Sequence, residues 1–227
     1  MLGHPVGING SAACPQAAAG AVGTPRPTDS RRGDPADAVR AFVAVDLGVE
    51  AKDAVRAIQR QFEDLVPRGC VRWTKSDQLH LTLCFLGNVP APRLPELCLA
   101  VGGGLAGVAR FRLRLGGLGA FPSPRAPRVL WVGLEGDLPR LLEVQDRVAR
   151  AAGAFGDHQE ARPFHPHLTI GRVNRPEARV GRAWQAFVGE RTAPAPCERE
   201  IGAVRLMRSR LRPDGAEYAE LASFALD

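Results

Sequence analysis

Two short strings, His80-Leu81-Thr82-Leu83 and His167-Leu168-Thr169-Ile170, constrain this chain more than any other feature. Each has the form His-x-Thr-x and lies in a short apolar run, the pattern of a β-strand. Side chains alternate across a strand, so His80 and Thr82 share one face, as do His167 and Thr169. The rise per residue sets each imidazole roughly 7 Å along the strand from its hydroxyl. Two such pairs brought face to face supply a general acid, a general base and two hydroxyl donors. Those groups are sufficient to hydrolyse a phosphodiester without a metal.

The surrounding sequence repeats its order. Val39 to Asp46 reads as a strand, and Val49 to Val66 as a helix with Val55, Ile58, Phe62 and Leu65 on one stripe. Extended segments follow at Val71 to Thr74 and Leu79 to Leu86, then a helix over Pro92 to Val108 carrying Leu94, Leu97, Leu99 and Val101. The glycines at 102–104 weaken the far half of that helix. Phe111, Leu113 and Leu115 alternate with arginines, as in a half-exposed strand. After a Pro-rich turn at Phe121 to Pro127 the order restarts with a strand over Arg128 to Glu135. A helix over Leu138 to Gly153 carries Leu141, Val144, Val148 and Ala151, and His167 to Val173 forms the strand of the second motif. A helix over Glu177 to Val188 carries Val180, Trp184 and Phe187. Strands near Ile201 to Leu211 and Tyr218 to Leu226 close the chain as a hairpin around Arg212-Pro213-Asp214-Gly215. A His-x-Thr-x falls on the second major strand of each half, 87 positions apart (80 to 167). The expectation is an α+β domain over 39–227 in two pseudo-symmetric lobes, about 39–118 and 128–227, with the motif strands facing across a groove. Each lobe is expected to be a mainly antiparallel sheet with helices on its outer face. Residues 1–38, rich in Gly, Ala, Pro and Ser and without a period, read as a disordered tail.

Partners and compartment follow from charge and sulfur. The net charge of +6 and pI near 9.6 favour an anionic partner such as nucleic acid. Only Lys52 and Lys75 are lysines among the 30 basic residues, a skew that GC-rich coding also produces. Cys14, Cys70, Cys84, Cys98 and Cys197 are odd in number and without zinc spacing, so thiols in a reducing cytoplasm are expected. No apolar run reaches membrane-spanning length, and residues 1–22 lack a secretory pattern.

Several residues carry a second reading. His165-Pro166-His167 has the spacing of a metal-binding pair but no carboxylate or thiol completes it, so no metal is expected and His165 is structural or a minor groove contact. His158 lies in a polar loop and is given no role. Strict alternation turns Arg172 away from His167, whereas a bulge near Gly171 brings it round, and the sequence leaves both open. Phe42 and Phe85 are core residues in preference to base-stacking ones, and Trp73, Trp131 and Trp184 belong to the core or the lobe interface. The arginines between 110 and 114 form a solvated face in preference to an RNA track.

The chain resembles the 2H phosphoesterase superfamily, and within it the RNA 2′,3′-cyclic phosphodiesterases, also called 2′-5′ RNA ligases. The resemblance rests on Arg40-Ala-Phe-Val-Ala-Val, on Arg72-Trp-Thr leading to His80-Leu-Thr-Leu-Cys-Phe-Leu-Gly, and on Phe164-His-Pro-His-Leu-Thr-Ile-Gly-Arg172. The closing Ser209-Arg-Leu and Gly215-Ala-Glu-Tyr218 complete it, and the stretches run in family order over about 39–226. Ile170 stands where Leu is more usual. The resemblance implies metal-free, cofactor-free hydrolysis of a terminal 2′,3′-cyclic phosphate on RNA to a 2′-phosphomonoester. It implies His80 as proton donor to the leaving 3′ oxygen, His167 as proton acceptor from water, Thr82 and Thr169 on the phosphate, and Arg172 as a substrate contact. The expected partner is RNA with such ends, tRNA fragments and cyclic nucleotides being candidate forms, with no membrane and no obligate protein partner. Two alternatives stand beside it: the reverse reaction, 2′-5′ ligation, and a module that holds RNA ends or nucleotides without turning them over.

Overall fold

The computed structural model describes residues 37–158, 162–174, 178–190, 198–212 and 215–227. The tail expected at the N-terminus lies outside these apart from its last two residues. The strands are β1 (Ala38–Val45), β2 (Val71–Trp73), β3 (Leu81–Pro90), β4 (Phe111–Phe121), β5 (Val129–Gly136), β6 (His167–Val173), β7 (Glu198–Ile201), β8 (Ala203–Arg212) and β9 (Gly215–Ala225). The helices are α1 (Gly48–Glu63), α2 (Leu94–Leu105), α3 (Leu138–Ala152) and α4 (Ala178–Gly189). The fold is α+β, with antiparallel pairing throughout one sheet of order β7-β4-β5-β6-β3-β1-β8-β9 and β2 attached to β6.

The sheet curls. β7 and β8 are separated in sequence by Gly202 alone, yet they lie toward opposite ends of the strand order. The sequence reads this stretch as one strand, whereas the chain leaves β4's side at Gly202 and joins β1 on the other flank. Leu226 donates its N–H to Gly202 O (2.8 Å) and Asp227 accepts from Arg110 N–H (2.7 Å), tying the two flanks together. Strand pairing also cuts across the expected lobe boundary: β4 pairs with β5 and β7, while the β8–β9 hairpin pairs with β1. The β1–β3 side of the sheet thus takes β8 and β9 from the second half of the sequence, and the β5–β6 side takes β4 from the first. A half that ended at residue 118 would leave β1 and β5 as bare edges, and these borrowed strands cover them.

Helical faces pack against the sheet as their apolar spacing dictates. α1 buries Ala51, Val55, Ile58 and Phe62, with the Phe62 ring edge-on to Trp184 (4.8 Å) and Trp73 (6.2 Å). The helix stops at Glu63, so Leu65, expected on its buried stripe, is 52% exposed. α2 buries Leu97, Val101 and Leu105 and turns Leu99 outward, because Leu97 and Leu99 are two residues apart and cannot share a helical face. Of its glycines, Gly104 serves close packing: a Cβ there would lie 3.2 Å from Ala151 of α3. Asp137 caps α3 by accepting from Arg140 N–H (3.1 Å). The inner faces of β3 and β6 (Leu81, Leu83, Leu168, Ile170) join this core, which leaves His80, Thr82, His167 and Thr169 on the opposite face.

Candidate active site

β3 and β6 meet at the middle of the sheet, with Leu81 opposite Leu168. In an antiparallel ladder that register sets His80 across from Thr169 and Thr82 across from His167. β1 flanks the first motif, with Ala44 opposite Thr82. β5 flanks the second, with Gly133 opposite His167 and Trp131 opposite Thr169. All four motif residues therefore lie on one face of adjoining strands. Each His/Thr pair shares a face as the sequence predicts, but the two motif strands are neighbours in one sheet and do not face each other across a groove.

Both imidazoles are held in the same way. His80 Nδ1 lies 2.7 Å from Gln78 O, and His167 Nδ1 lies 2.7 Å from His165 O. A carbonyl oxygen only accepts, so each Nδ1 carries its hydrogen and each Nε2 is the nitrogen left to exchange a proton. The two residues before each motif form the clamp. Gln78 closes a short 3₁₀ turn at Ser76–Gln78, and its amide nitrogen donates to Ala216 O of β9. His165-Pro166 enters β6 directly.

Aromatic rings fix the imidazole planes. Phe42 is buried and stacks on His80, with centroids 4.7 Å apart and planes inclined by 30°. Tyr218, the only tyrosine in the chain, meets His80 edge-on at 5.1 Å and Phe42 at 5.0 Å. On the second half, Phe121 stands edge-on to His167 at 5.1 Å, and Trp131 packs against His165 at 4.9 Å. His165 is thus a structural neighbour of His167 through its ring and its carbonyl. No group of three metal-ligating side chains occurs among the described residues.

Arg172 shares the motif face. Trp131 pairs with Thr169 and Leu130 with Gly171, so Ile170 is the extra residue of a β-bulge. Burial follows the shift: Leu168, Ile170, Gly171 and Val173 are buried and Arg172 is exposed. Its charge acts on both His167 and Tyr218.

Burial pushes the pKa of both histidines below the ordinary imidazole value. At His80 the Gln78 carbonyl and the nearby Asp46 carboxylate oppose that fall, while Lys52 and His167 reinforce it. At His167 the His165 carbonyl opposes it, and the charges of His165 and Arg172 reinforce it. Asp46 accepts from Gly48 N–H (3.0 Å), pairs with Lys52 (2.9 Å) and lies 3.5 Å from Arg205. Together with His80, Met207 and Tyr218 these side chains line a cavity of about 80 Å³.

The sequence identifies the motif residues but assigns no site role to Tyr218, Phe42 or Asp46, although Tyr218 and Phe42 stand within the stretches that carry the family resemblance. The arginines between 110 and 114 are the solvated face expected, paired across strands with Glu200 (3.6 Å), Glu198 (3.2 Å) and Glu135 (2.8 Å).

The family model of the 2′-5′ RNA ligase superfamily matches residues 50–212. The chain is similar to the RNA 2′,3′-cyclic phosphodiesterase of Methanothermobacter thermautotrophicus, at 34% identity over 83% of this chain and 99% of that protein. It is similar to the protein of the same name from Thermus thermophilus, at 34% identity over 83% of this chain and 90% of that protein. Among solved structures, E. coli LigT complexed with 3′-AMP superposes with a TM-score of 0.67 at 26% identity, over 83% of this chain and 98% of that chain. TT0787 of Thermus thermophilus superposes with a TM-score of 0.64 at 29% identity, over 82% of this chain and 97% of that chain.

Proposed function

The chain belongs to the 2′-5′ RNA ligase superfamily, and we propose that it is an RNA 2′,3′-cyclic phosphodiesterase acting by metal-independent chemistry of two histidines. The observation that carries this reading is the matched clamp, Nδ1 to a carbonyl two residues earlier, on both His80 and His167. It leaves two Nε2 atoms, one on each motif strand, as a proton donor and a proton acceptor.

In the proposed reaction a water oxygen attacks the cyclic phosphorus and the P–O3′ bond breaks. His167, entering neutral, takes the water proton on Nε2, and its imidazolium keeps its Nδ1–H on His165 O. His80, entering protonated, gives its Nε2 proton to the departing O3′ and ends neutral. The product is a 2′-phosphomonoester with a free 3′-hydroxyl. Thr82 and Thr169 donate to the non-bridging oxygens, and Arg172 balances the charge that accumulates on them. The assignment of donor and acceptor follows the order of the motifs in the family. With a 5′-hydroxyl in the place of water, the same pair in the same protonation states joins it to the cyclic phosphate end as the P–O3′ bond breaks, so 2′-5′ ligation is a second mode of this site. With protonation states exchanged, the pair cleaves that link back to the cyclic phosphate.

RNA bearing 2′,3′-cyclic phosphate ends is the proposed substrate. The proposed location is the cytoplasm: Cys84 and Cys98 carry no disulfide, and no helix of the described residues is long and apolar enough to cross a membrane. The test is a short RNA with a 2′,3′-cyclic phosphate end incubated with the protein, with the product end identified. A 2′-phosphate supports the assignment. A 3′-phosphate reverses the leaving oxygen, and the absence of product from folded protein removes the reading.

A further inference from the structure

The face that carries His80 and Thr82 continues along β1 and β3 beyond the reacting groups. Cross-strand pairs follow one another as Ala44–Thr82, Phe42–Phe85 and Arg40–Asn88. Bulges at Leu83 and Leu86 keep Thr82, Phe85 and Asn88 in step with every second residue of β1. Phe42 stacks on His80, so this row belongs to the face of the site. Arg40 lies at its far end with its guanidinium carbon 4.6 Å from the centre of the Phe85 ring, and its charge reaches Tyr218. By strand rise, the rows of Ala44 and Arg40 are about 13 Å apart.

A loop after α3 is anchored beside this row. Gly87, with φ +71°, leaves the space that Asp157 occupies, where a Cβ would collide with its carboxylate. The Asp157 carboxylate accepts from the Asn88 backbone N–H (2.7 Å) and from Asn88 Nδ2 (2.9 Å), and His158 donates its backbone N–H to Leu86 O (3.1 Å). This docking sets the exposed His158 ring edge-on to Phe85 at 5.1 Å. The result is a partly exposed phenyl ring flanked by an arginine and a histidine, one row along the sheet from Thr82. None of these three side chains belongs to the fully buried core: Phe85 and Arg40 are partly exposed and His158 is exposed.

We propose that Arg40, Phe85 and His158 form a subsite for the nucleotide immediately 5′ of the reacting terminus, with Phe85 and His158 taking its base and Arg40 its phosphodiester. This rests on the reading of the site as one for 2′,3′-cyclic phosphate ends. An aromatic ring stacks any base without regard to sequence, and an arginine already lying over that ring presents its N–H edge to a phosphate. Both oxygens of the Asp157 carboxylate accept from Asn88, and its charge also acts on Arg40, which holds the guanidinium beside the Phe85 ring. The subsite makes the protein prefer a polynucleotide end to a cyclic mononucleotide.

The test compares kcat/KM for uridine 2′,3′-cyclic phosphate with that for an RNA tetranucleotide ending in the same group. The wild-type protein should favour the tetranucleotide by at least tenfold. Arg40→Ala and Phe85→Leu should each reduce that ratio by roughly tenfold, through KM for the tetranucleotide, and His158→Ala should reduce it by less. Equal rates on both substrates, or an undiminished ratio in Arg40→Ala, would overturn the subsite while leaving the activity intact. No turnover of either substrate by the wild-type protein would overturn the activity and the subsite with it. Thermal midpoints within a few degrees of wild type separate these effects from misfolding, and the conservative Phe85→Tyr variant, which keeps the ring, should retain the preference.

Discussion

Leu81 and Leu168 face each other across the seam where β3 meets β6, and that pair crosses the two motifs. Each row beside it holds an imidazole from one strand and a hydroxyl from the other: His80 with Thr169, and Thr82 with His167. A phosphate seated over the seam is therefore reached by both motifs at once. Neither half of the sequence can make the site alone.

Protonation should show in the pH profile. Burial lowers both imidazole pKa values from 6.5, and the proposed mechanism requires a proton on His80 and none on His167. That state is lost on the acid side as His167 gains a proton and on the alkaline side as His80 loses one. The kcat/KM profile should therefore be a bell centred below pH 6.5, its limbs belonging to the coupled pair. Asp46 favours the charged form of His80, so Asp46→Asn should move the alkaline limb to lower pH. An unmoved limb would remove Asp46 from the account.

Arg172 is brought to the motif face by the bulge at Ile170. Arg172→Ala should lower kcat/KM about 10- to 100-fold, the range of a charged hydrogen bond to phosphate. Arg172→Lys should recover only part of the loss, since an ammonium cannot reproduce a guanidinium's paired N–H groups. Steady-state kinetics on a cyclic-phosphate RNA decides this.

Gly119 lies opposite Trp131, where a Cβ would collide with the indole. The same indole packs against His165 and within 6.2 Å of the His167 ring. Gly119→Ala should destabilise the protein by about 1–3 kcal/mol through overpacking. It should also reduce kcat by displacing the support of His167. Thermal unfolding and single-turnover rates measure the two effects.

Period-2 alternation makes the motif face legible in the sequence, because His80, Thr82, His167 and Thr169 need only local geometry to align. Helical stripes such as Val55, Ile58 and Phe62 are legible for the same reason. Features that depend on long-range pairing are not. Gly202, where the chain passes from β7 to β8, looks like an ordinary strand glycine until β4 and β1 are seen to claim its two sides. The face of Arg172 depends on a bulge that arises from the pairing of β5 with β6. Tyr218 meets His80 only because β9 returns beside β8, which pairs with β1. The carbonyl clamp on each histidine is set by how the chain enters the strand, which residue identity does not encode.

The most direct measurement is single-turnover hydrolysis of a short RNA ending in a 2′,3′-cyclic phosphate, in excess EDTA. Wild-type, His80→Ala and His167→Ala proteins are compared, with binding of the RNA measured in parallel. The account predicts that wild-type turnover persists in EDTA. It predicts that each variant loses about 10²–10⁴ in rate, the range of one general acid or base, while binding the RNA within a few-fold of wild type. Turnover abolished by EDTA, or either variant retaining near wild-type rates, would contradict it.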